Sequence, residues 1–366
     1  MPPDFSISLG VKGGTDQQLL HPGTERIQSM RGFEDTYTDI IDYIVRITHR
    51  IWEEKDIGYI YDTYKHNSRV HDDFGLQYGR DKIVADTVHT INAFPDIRLF
   101  ADEIVWAGDD EVGFHTSHRT VITGTNTGPS KFGPPTGKKI RVLVIANCIA
   151  LQNEIFEEWV IYDHCDLIRQ LGFDVRETAR HMASITPAPA LGDKRFGENE
   201  RLPGQGKPVH MDAAKGLNAS GSAGGTSSFD VEGFIKHMYH YTWNWRNLST
   251  INKSYTPNIM FHGTNHREYY GIGALHSYIL SILAMFPDAF MQIDDIYWMG
   301  NDKEGYLVSV RWSLTGTHKG HGLYGEPTGK PVRMWGISQH HIKSGRIVEE
   351  WTLFNELGVL MQILGE

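Results

Sequence analysis

Cysteine is nearly absent from this chain: Cys148 and Cys165 are the only two among 366 residues. That excludes a disulfide framework and a four-cysteine zinc site. Long apolar runs are missing too; none approaches the roughly 18–20 residues that a membrane helix needs. The opening Met1-Pro2-Pro3-Asp4 has neither a basic stretch nor an apolar core. No secretory signal is therefore expected, and a cytoplasmic protein is. Positive charge is outnumbered, 35 Lys and Arg against 45 Asp and Glu, which makes nucleic acid a poor expected partner. What remains is a globular composition, with 40% hydrophobic and 22% charged residues, long enough for two domains.

The chain repeats itself. Residues 94–171 align without a gap to 286–363, with 27 identities in 78 positions. Landmarks include Trp106 with Trp298, Pro135-Thr136-Gly137-Lys138 with Pro327-Thr328-Gly329-Lys330, and Glu157-Glu158-Trp159 with Glu349-Glu350-Trp351. Upstream, Trp52 and Tyr64 precede His71 at the same distances as Trp243 and Tyr255 precede His262. The expected organisation is an irregular arm over 1–30, one domain over 31–182, a Gly/Pro/Ser-rich linker over 183–228 and a second domain over 229–366.

Each copy opens with a helix, with Ile40, Ile41, Ile44, Ile47 and Ile51 at helical spacing behind Thr38 or Asp39 as cap. Phe234, Met238, Tyr241 and Trp245 repeat the pattern. A segment ending at His71 or His262 leads to a second helix. Four β-rich runs follow near 97–106, 112–126, 138–150 and 155–163, the last two turning at Gln152-Asn153. Helices first and an antiparallel sheet after them make an α+β domain.

Several chemistries fail on spacing. Gly137-Lys138 is not a phosphate loop, because Phe132 stands where a glycine is required and Lys139 follows. There is no His-Glu-x-x-His and no Cys-x-x-Cys. His115 and His118 are three apart on a strand and point to opposite faces. The 19 histidines thus form no evident metal site, and neither metal nor cofactor is expected. No Gly-x-Ser-x-Gly elbow offers a serine nucleophile. Acid–base chemistry by Asp, Glu and His in an apolar pocket remains.

The order of motifs is informative: His71-Asp72-Asp73-Phe74-Gly75, Phe94-Pro95-Asp96, Trp106-x-Gly108-Asp109, Arg119 with Gly124-Thr125, Pro135 to Lys138, then Glu157-Glu158-Trp159. It resembles the SnoaL-like polyketide cyclase and ester cyclase family of the nuclear-transport-factor-2-like superfamily, in two tandem copies. The resemblance implies two cone-shaped α+β barrel domains, each a curved antiparallel sheet wrapped by N-terminal helices. It also implies a deep pocket and a pseudo-dimer of the two domains within one chain, with a homodimer as a further option.

Carried over by position, the resemblance makes Asp72 the counterpart of a ketosteroid isomerase-like base. Asp163 becomes the counterpart of the cyclase base near the last strand. His71 and His118 are the matching candidates for donors to an enolate oxygen. Candidate substrate-binding residues are Trp52, Tyr64, His115, Arg119, Trp159, His262, Arg311, His340 and Trp351. Opposite Asp72 and Asp163 the second copy has Gly263 and Asn355, so the first copy is expected to carry the chemistry. Asp163 could equally cap a short helix over 164–171, and Arg119 could pair with Glu157 or Glu158. The expected function is cyclisation, isomerisation or elimination on a small apolar carbonyl compound. A water-activating hydrolase and a non-catalytic binder or scaffold are the alternatives. An enzyme should place a carboxylate and a histidine within hydrogen-bond reach of each other in a pocket.

Overall fold

The computed structural model describes residues 9, 14–186 and 229–365. Of the linker expected over 183–228, residues 183–185 belong instead to the end of a helix, and 187–228 lie outside the described residues, as do most of the first thirteen. The described residues fall into two compact units. Unit 1 takes in Leu9, 14–72 and 76–175; unit 2 takes in 73–75, 176–186 and 229–365.

Unit 1 contains α1 (Gly14–Leu20), α2 (Ile40–Trp52), α3 (Ile60–Thr63), β1 (Tyr64–Asp72), β2 (Gly75–Tyr78), α4 (Arg80–Ala93), β3 (Arg98–Asp109), β4 (Gly113–Thr125), β5 (Lys139–Leu151), β6 (Glu154–Tyr162) and α5 (His164–Leu171). The helix α6 (Val175–Ile185) follows. Unit 2 repeats the order with α7 (Val231–Tyr239), a π-helical turn at His240–Asn244, α8 (Ser249–Ser254), β7 (Tyr255–Gly263), β8 (Arg267–Tyr270), α9 (Ile272–Met285), β9 (Phe290–Asn301), β10 (Gly305–Thr317), β11 (Pro331–Lys343), β12 (Arg346–Phe354) and α10 (Glu356–Leu364).

Each sheet has six strands, ordered β2-β1-β6-β5-β4-β3 and β8-β7-β12-β11-β10-β9. The sheets are mixed rather than purely antiparallel, since β1 runs parallel to β6 and β7 parallel to β12. That pairing follows from the chain path: the first strand leaves through a hairpin and a helix, and the last returns beside it in the same direction. The expected turn holds, with Gln152 and Asn153 both at positive φ between β5 and β6. Within the expected irregular arm, α1 forms a short helix and Thr15 Oγ1 accepts from the Ala101 N–H at 2.7 Å.

The core explains the helix positions. Ile40, Ile41, Ile44, Ile47 and Ile51 form one buried stripe on α2 and pack with Ile104, Phe114, Cys148 and Ile155 of the sheet. A second apolar cluster joins Ile91, Phe94 and Ile97 to Val142, Val144, Val160, Leu167 and Leu171. The sheet face turned to the helices is the inner face. Register gives it Thr116, His118, Thr120 and Ile122 of β4, Val142, Val144, Ala146 and Cys148 of β5, and Glu158, Val160 and Tyr162 of β6.

The Pro-Thr-Gly-Lys segments are loop fasteners. Asn126 Oδ1 accepts from Thr136 N at 2.9 Å, and in unit 2 His318 Nδ1 accepts from Thr328 N at 3.3 Å. His318 thus does by its ring nitrogen what Asn126 does by its amide.

Asp39, not Thr38, caps α2, accepting from Asp42 N at 2.8 Å. Replacing it with Ala should cost about 1 kcal/mol. Thermal unfolding of the Asp39→Ala chain should show a melting temperature a few degrees lower; an unchanged value would contradict the assignment.

Candidate active site

A pocket walled by side chains lies in unit 2. Its walls are apolar, from Met238, Phe261, Leu275, Ile279, Met291 and Leu314 among others, and Trp243 stands at its side. About 530 Å³ of non-atom space lies between these walls, part of it open to solvent. Glu350 sits on its sheet wall and is 5% exposed.

A buried carboxylate needs donors, and Glu350 has several. Tyr255 Oη donates to its Oε2 at 2.7 Å, and Thr352 Oγ1 donates to its Oε1 at 2.7 Å. His340 Nδ1 lies 3.3 Å from Oε2, close enough for charge to act but outside hydrogen-bond geometry. Behind Thr352 runs a short chain: Trp312 Nε1 donates to Ser338 Oγ at 3.0 Å, and Ser338 Oγ is 2.7 Å from Thr352 Oγ1. Tyr239 Oη is 3.0 Å from His340 Nε2. Burial alone would raise the pKa of Glu350, but His340, Thr352 and Tyr255 outweigh it and hold the carboxyl below its ordinary value. It is a carboxylate at neutral pH.

Gly336 makes room for this arrangement. A Cβ there would meet Trp312 Cζ2 at 2.3 Å and the Leu353 carbonyl oxygen at 2.7 Å. The indole lies against that bare backbone and aims its N–H at Ser338. In unit 1 the equivalent pair is Thr120 facing Val144, and the space is filled from the other strand.

One polar atom in the pocket is left over. Thr242 is buried and lines the cavity, yet its Oγ1 has no hydrogen-bond partner among the described residues. It lies in the π-helical turn, a geometry frequent at functional sites.

The expected site residues divide between the two faces of each sheet. On the inner face, Tyr64 Oη donates to Glu158 Oε2 at 3.1 Å, and His118 is buried. Asp72 stands close enough to Tyr162 and His164 to act on both by its charge. Trp52 packs between the two apolar clusters, and His340 is paired with Glu350. On the outer face, His71 stacks on Trp159 with centroids 5.1 Å apart, and its Nε2 is 3.3 Å from Glu157 Oε1. His262 and Trp351 repeat the stack at 4.6 Å, with Glu349 at 3.3 Å and Glu268 also bonded. His115 and the buried Arg119 and Arg311 share that outer face with them. Arg119 Nε donates to Asp102 Oδ2 at 2.6 Å; Glu158 is on the opposite face, and Glu157 is bonded by Arg69 and His71. Asp163 is buried at the start of α5 and accepts from Asp166 N at 3.3 Å, as a helix cap does.

Sequence reasoning missed the inner glutamates. The signal was present: adjacent glutamates on one strand must face opposite sides. Trp159 and Glu157 share one side, which leaves Glu158 for the other, and Glu350 likewise.

The model of the family described as SnoaL-like polyketide cyclase matches residues 42–171 and 234–363. The chain belongs to that family. Both copies match, so this is a tandem SnoaL-like chain with two α+β domains of the same fold. Among solved structures it is similar to IdmH from Streptomyces antibioticus, a proposed polyketide cyclase, at 24% identity over 37% of this chain and 98% of that one, TM-score 0.32. A proposed SnoaL-like polyketide cyclase from Jannaschia sp. CCS1 is 18% identical over 36% of this chain and 90% of that one, TM-score 0.32. A proposed polyketide cyclase from Acidithiobacillus ferrooxidans is 22% identical over 37% and 95%, TM-score 0.32. No curated protein matches the chain. No helix among the described residues is long and apolar enough to cross a membrane.

The outer-face histidine makes a pH prediction. Burial opposes the charge of His262, but its hydrogen bond to Glu349 and the nearby Glu268 prevail and raise its pKa. Such a group stabilises the fold below the ordinary histidine pKa, and that contribution is lost as pH rises through the folded pKa. The His262→Gln chain should therefore lose more melting temperature at about pH 5.5 than at about pH 9. Equal losses at the two values would contradict this account.

Proposed function

We propose that unit 2 is a cofactor-independent acid–base catalyst acting on a small apolar carbonyl compound, with Glu350 as its general base. The family assignment supports a cyclase- or isomerase-type role. The observation that carries the reading is Glu350 on the wall of an apolar pocket, bonded by Tyr255 and Thr352, with His340 Nδ1 3.3 Å away behind it. This is the pairing expected of an enzyme, and it occurs in the copy that sequence reasoning set aside.

The chemistry follows from the groups present. Glu350 is ionised and desolvated, so it can take a proton from the carbon next to a carbonyl. The electron pair of that C–H bond moves onto the carbonyl oxygen and makes an enolate. Thr242 Oγ1 has an unused O–H in the same pocket and is the group we assign to meet the enolate oxygen. The enolate carbon then attacks a second carbonyl of the same molecule, whose oxygen becomes an alkoxide and takes back the proton from the glutamic acid just formed, which closes a ring; or the enolate is reprotonated at another carbon by that glutamic acid, which isomerises it. Tyr239 holds His340, and His340 with Tyr255 fixes the Glu350 carboxylate. Asp72 and Asp163 of unit 1 are outside this pathway.

Exchange of α-protons for deuterium tests the step without knowledge of the natural substrate. With 2-tetralone as probe, followed by proton NMR, the chain should accelerate exchange. Glu350→Gln should reduce that acceleration by about a hundredfold or more, and Thr242→Val by about tenfold to a hundredfold. Asp163→Asn should lower the melting temperature and leave exchange in place. Full exchange activity in Glu350→Gln would overturn the assignment.

A further inference from the structure

A substrate has to reach Glu350, and the walls leave one place for it to pass. Every residue lining the unit 2 pocket is buried except Trp243, which is partly exposed. The cavity therefore meets solvent at that indole. Trp243 belongs to the π-helical turn at His240–Asn244, beside the pocket-lining Thr242.

The equivalent tryptophan of unit 1 has a different setting. There α2 runs as a regular helix to Trp52, and Ile51 before it is a buried core residue. Trp52 packs against both apolar clusters of its unit. In unit 2 the regular helix α7 ends at Tyr239, before the tryptophan is reached. The Trp245 N–H then reaches back to the His240 carbonyl at 3.2 Å, which is the wide spacing of a π turn. Thr242 stands where unit 1 has Ile51. The widened turn thus exchanges a core isoleucine for a threonine and sets the next residue at the rim of the cavity.

The main chain around Trp243 is pinned. Asn244 Nδ2 donates to the Met291 carbonyl at 2.8 Å, and Asn244 Oδ1 accepts from Met291 N at 2.7 Å. Arg246 donates to the carbonyls of Asn244, Pro287 and Ala289 at 2.6, 3.2 and 2.5 Å. Arg246 itself sits at φ 54°, a region that residues other than glycine seldom adopt. Trp245 Nε1 donates to His240 Nε2 at 2.6 Å and ties the outer side of the turn. The Trp243 indole has no comparable tie; it makes no hydrogen bond and no ring contact among the described residues. Trp312, on the opposite wall, spends its N–H on Ser338. A partly exposed side chain without a polar tie can change rotamer while its backbone stays in place.

We propose that Trp243 is the entry residue of the unit 2 site and sets the girth of the ketone it admits, passing flat molecules and holding back bulky cages. A planar ring needs a gap of about 3.5 Å, and an adamantyl cage needs about twice that. The gate is one side chain and not a lid. The aromatic neighbours lie outside it: Trp245 is 59% exposed, Tyr241 is 38% exposed, and neither lines the pocket. The proposal rests on the catalytic reading of Glu350 for its activity readout alone; passage into the cavity is measured without it.

Two ketones separate the shapes: 2-tetralone, which is flat, and 1-adamantyl methyl ketone, which is not. Deuterium exchange of their α-protons by the full chain gives kcat/KM for each. Trp243→Ala should raise the value for the adamantyl ketone relative to 2-tetralone by about tenfold. Trp243→Phe should fall between, and it serves if the alanine variant fails to fold. Trp245→Ala, which removes an exposed ring and its bond to His240, should leave the ratio as it is. Entry is read independently by a thiol on the wall. In the Leu314→Cys chain, Trp243→Ala should speed labelling at position 314 by N-(1-adamantyl)maleimide about tenfold and by N-ethylmaleimide much less, with the labelled peptide separating this thiol from Cys148 and Cys165. An unchanged adamantyl-to-ethyl labelling ratio would overturn the gate. A ketone ratio moved as far by Trp245→Ala as by Trp243→Ala would overturn its assignment to Trp243. If the unsubstituted chain exchanges neither ketone, the Glu350 reading fails, and the labelling ratio still decides the gate.

Discussion

A carboxyl group on the inner face of a sheet must either find donors or keep its proton, and this constraint separates the two halves of the chain. Glu158 and Glu350 occupy the same position on the same strand of the same fold. Each accepts a hydrogen bond from a tyrosine on the neighbouring parallel strand. Around Glu350 the sequence adds His340 and Thr352, with Ser338 and Trp312 behind them, and the carboxyl is held ionised. Around Glu158 those positions are Cys, Val, Ala and Thr, and the carboxyl is pushed up to about 7. Four substitutions on three strands change the surroundings of the same carboxyl without moving the backbone plan.

The scaffold makes such exchange inexpensive. Register alternation fixes which residues face inward, and the apolar helix stripe closes over them whatever their chemistry. Changes on one strand demand changes on the next, as Trp312 and Gly336 show: the indole that starts the donor chain fits only because residue 336 lacks a Cβ. Positions that secure the fold are less free. The His71–Trp159 and His262–Trp351 stacks recur on the outer faces with their glutamate partners, and the loop after β4 or β10 is tied by Asn126 or His318.

Much of the fold was legible in the residues. The isoleucine spacing gave α2, the Gln152-Asn153 turn gave the last hairpin, and the gapless alignment gave two domains. The site was less so, for physical reasons. Asp72 and Asp163 stood out because the family resemblance carried base roles onto their positions, whereas Glu158 and Glu350 are identical in the two copies and differ only in their neighbours. A carboxyl's protonation is set by side chains that are distant in sequence and adjacent across strands. His340 was recognised as a candidate, but its partner was hidden in a landmark shared by both copies. Thr242 gave no signal at all, because its free hydroxyl depends on a π-helical turn that side-chain periodicity does not reveal.

The account rests on two equivalent glutamates whose surroundings shift them in opposite directions, and carboxyl carbon NMR reads that directly. In the full chain carrying ¹³C-labelled glutamate, with Glu158→Gln and Glu350→Gln used for assignment, the Glu158 carboxyl should titrate near pH 7 and the Glu350 carboxyl below the ordinary glutamate range. Titration of both at one common pH, or Glu350 above Glu158, would contradict the division of roles.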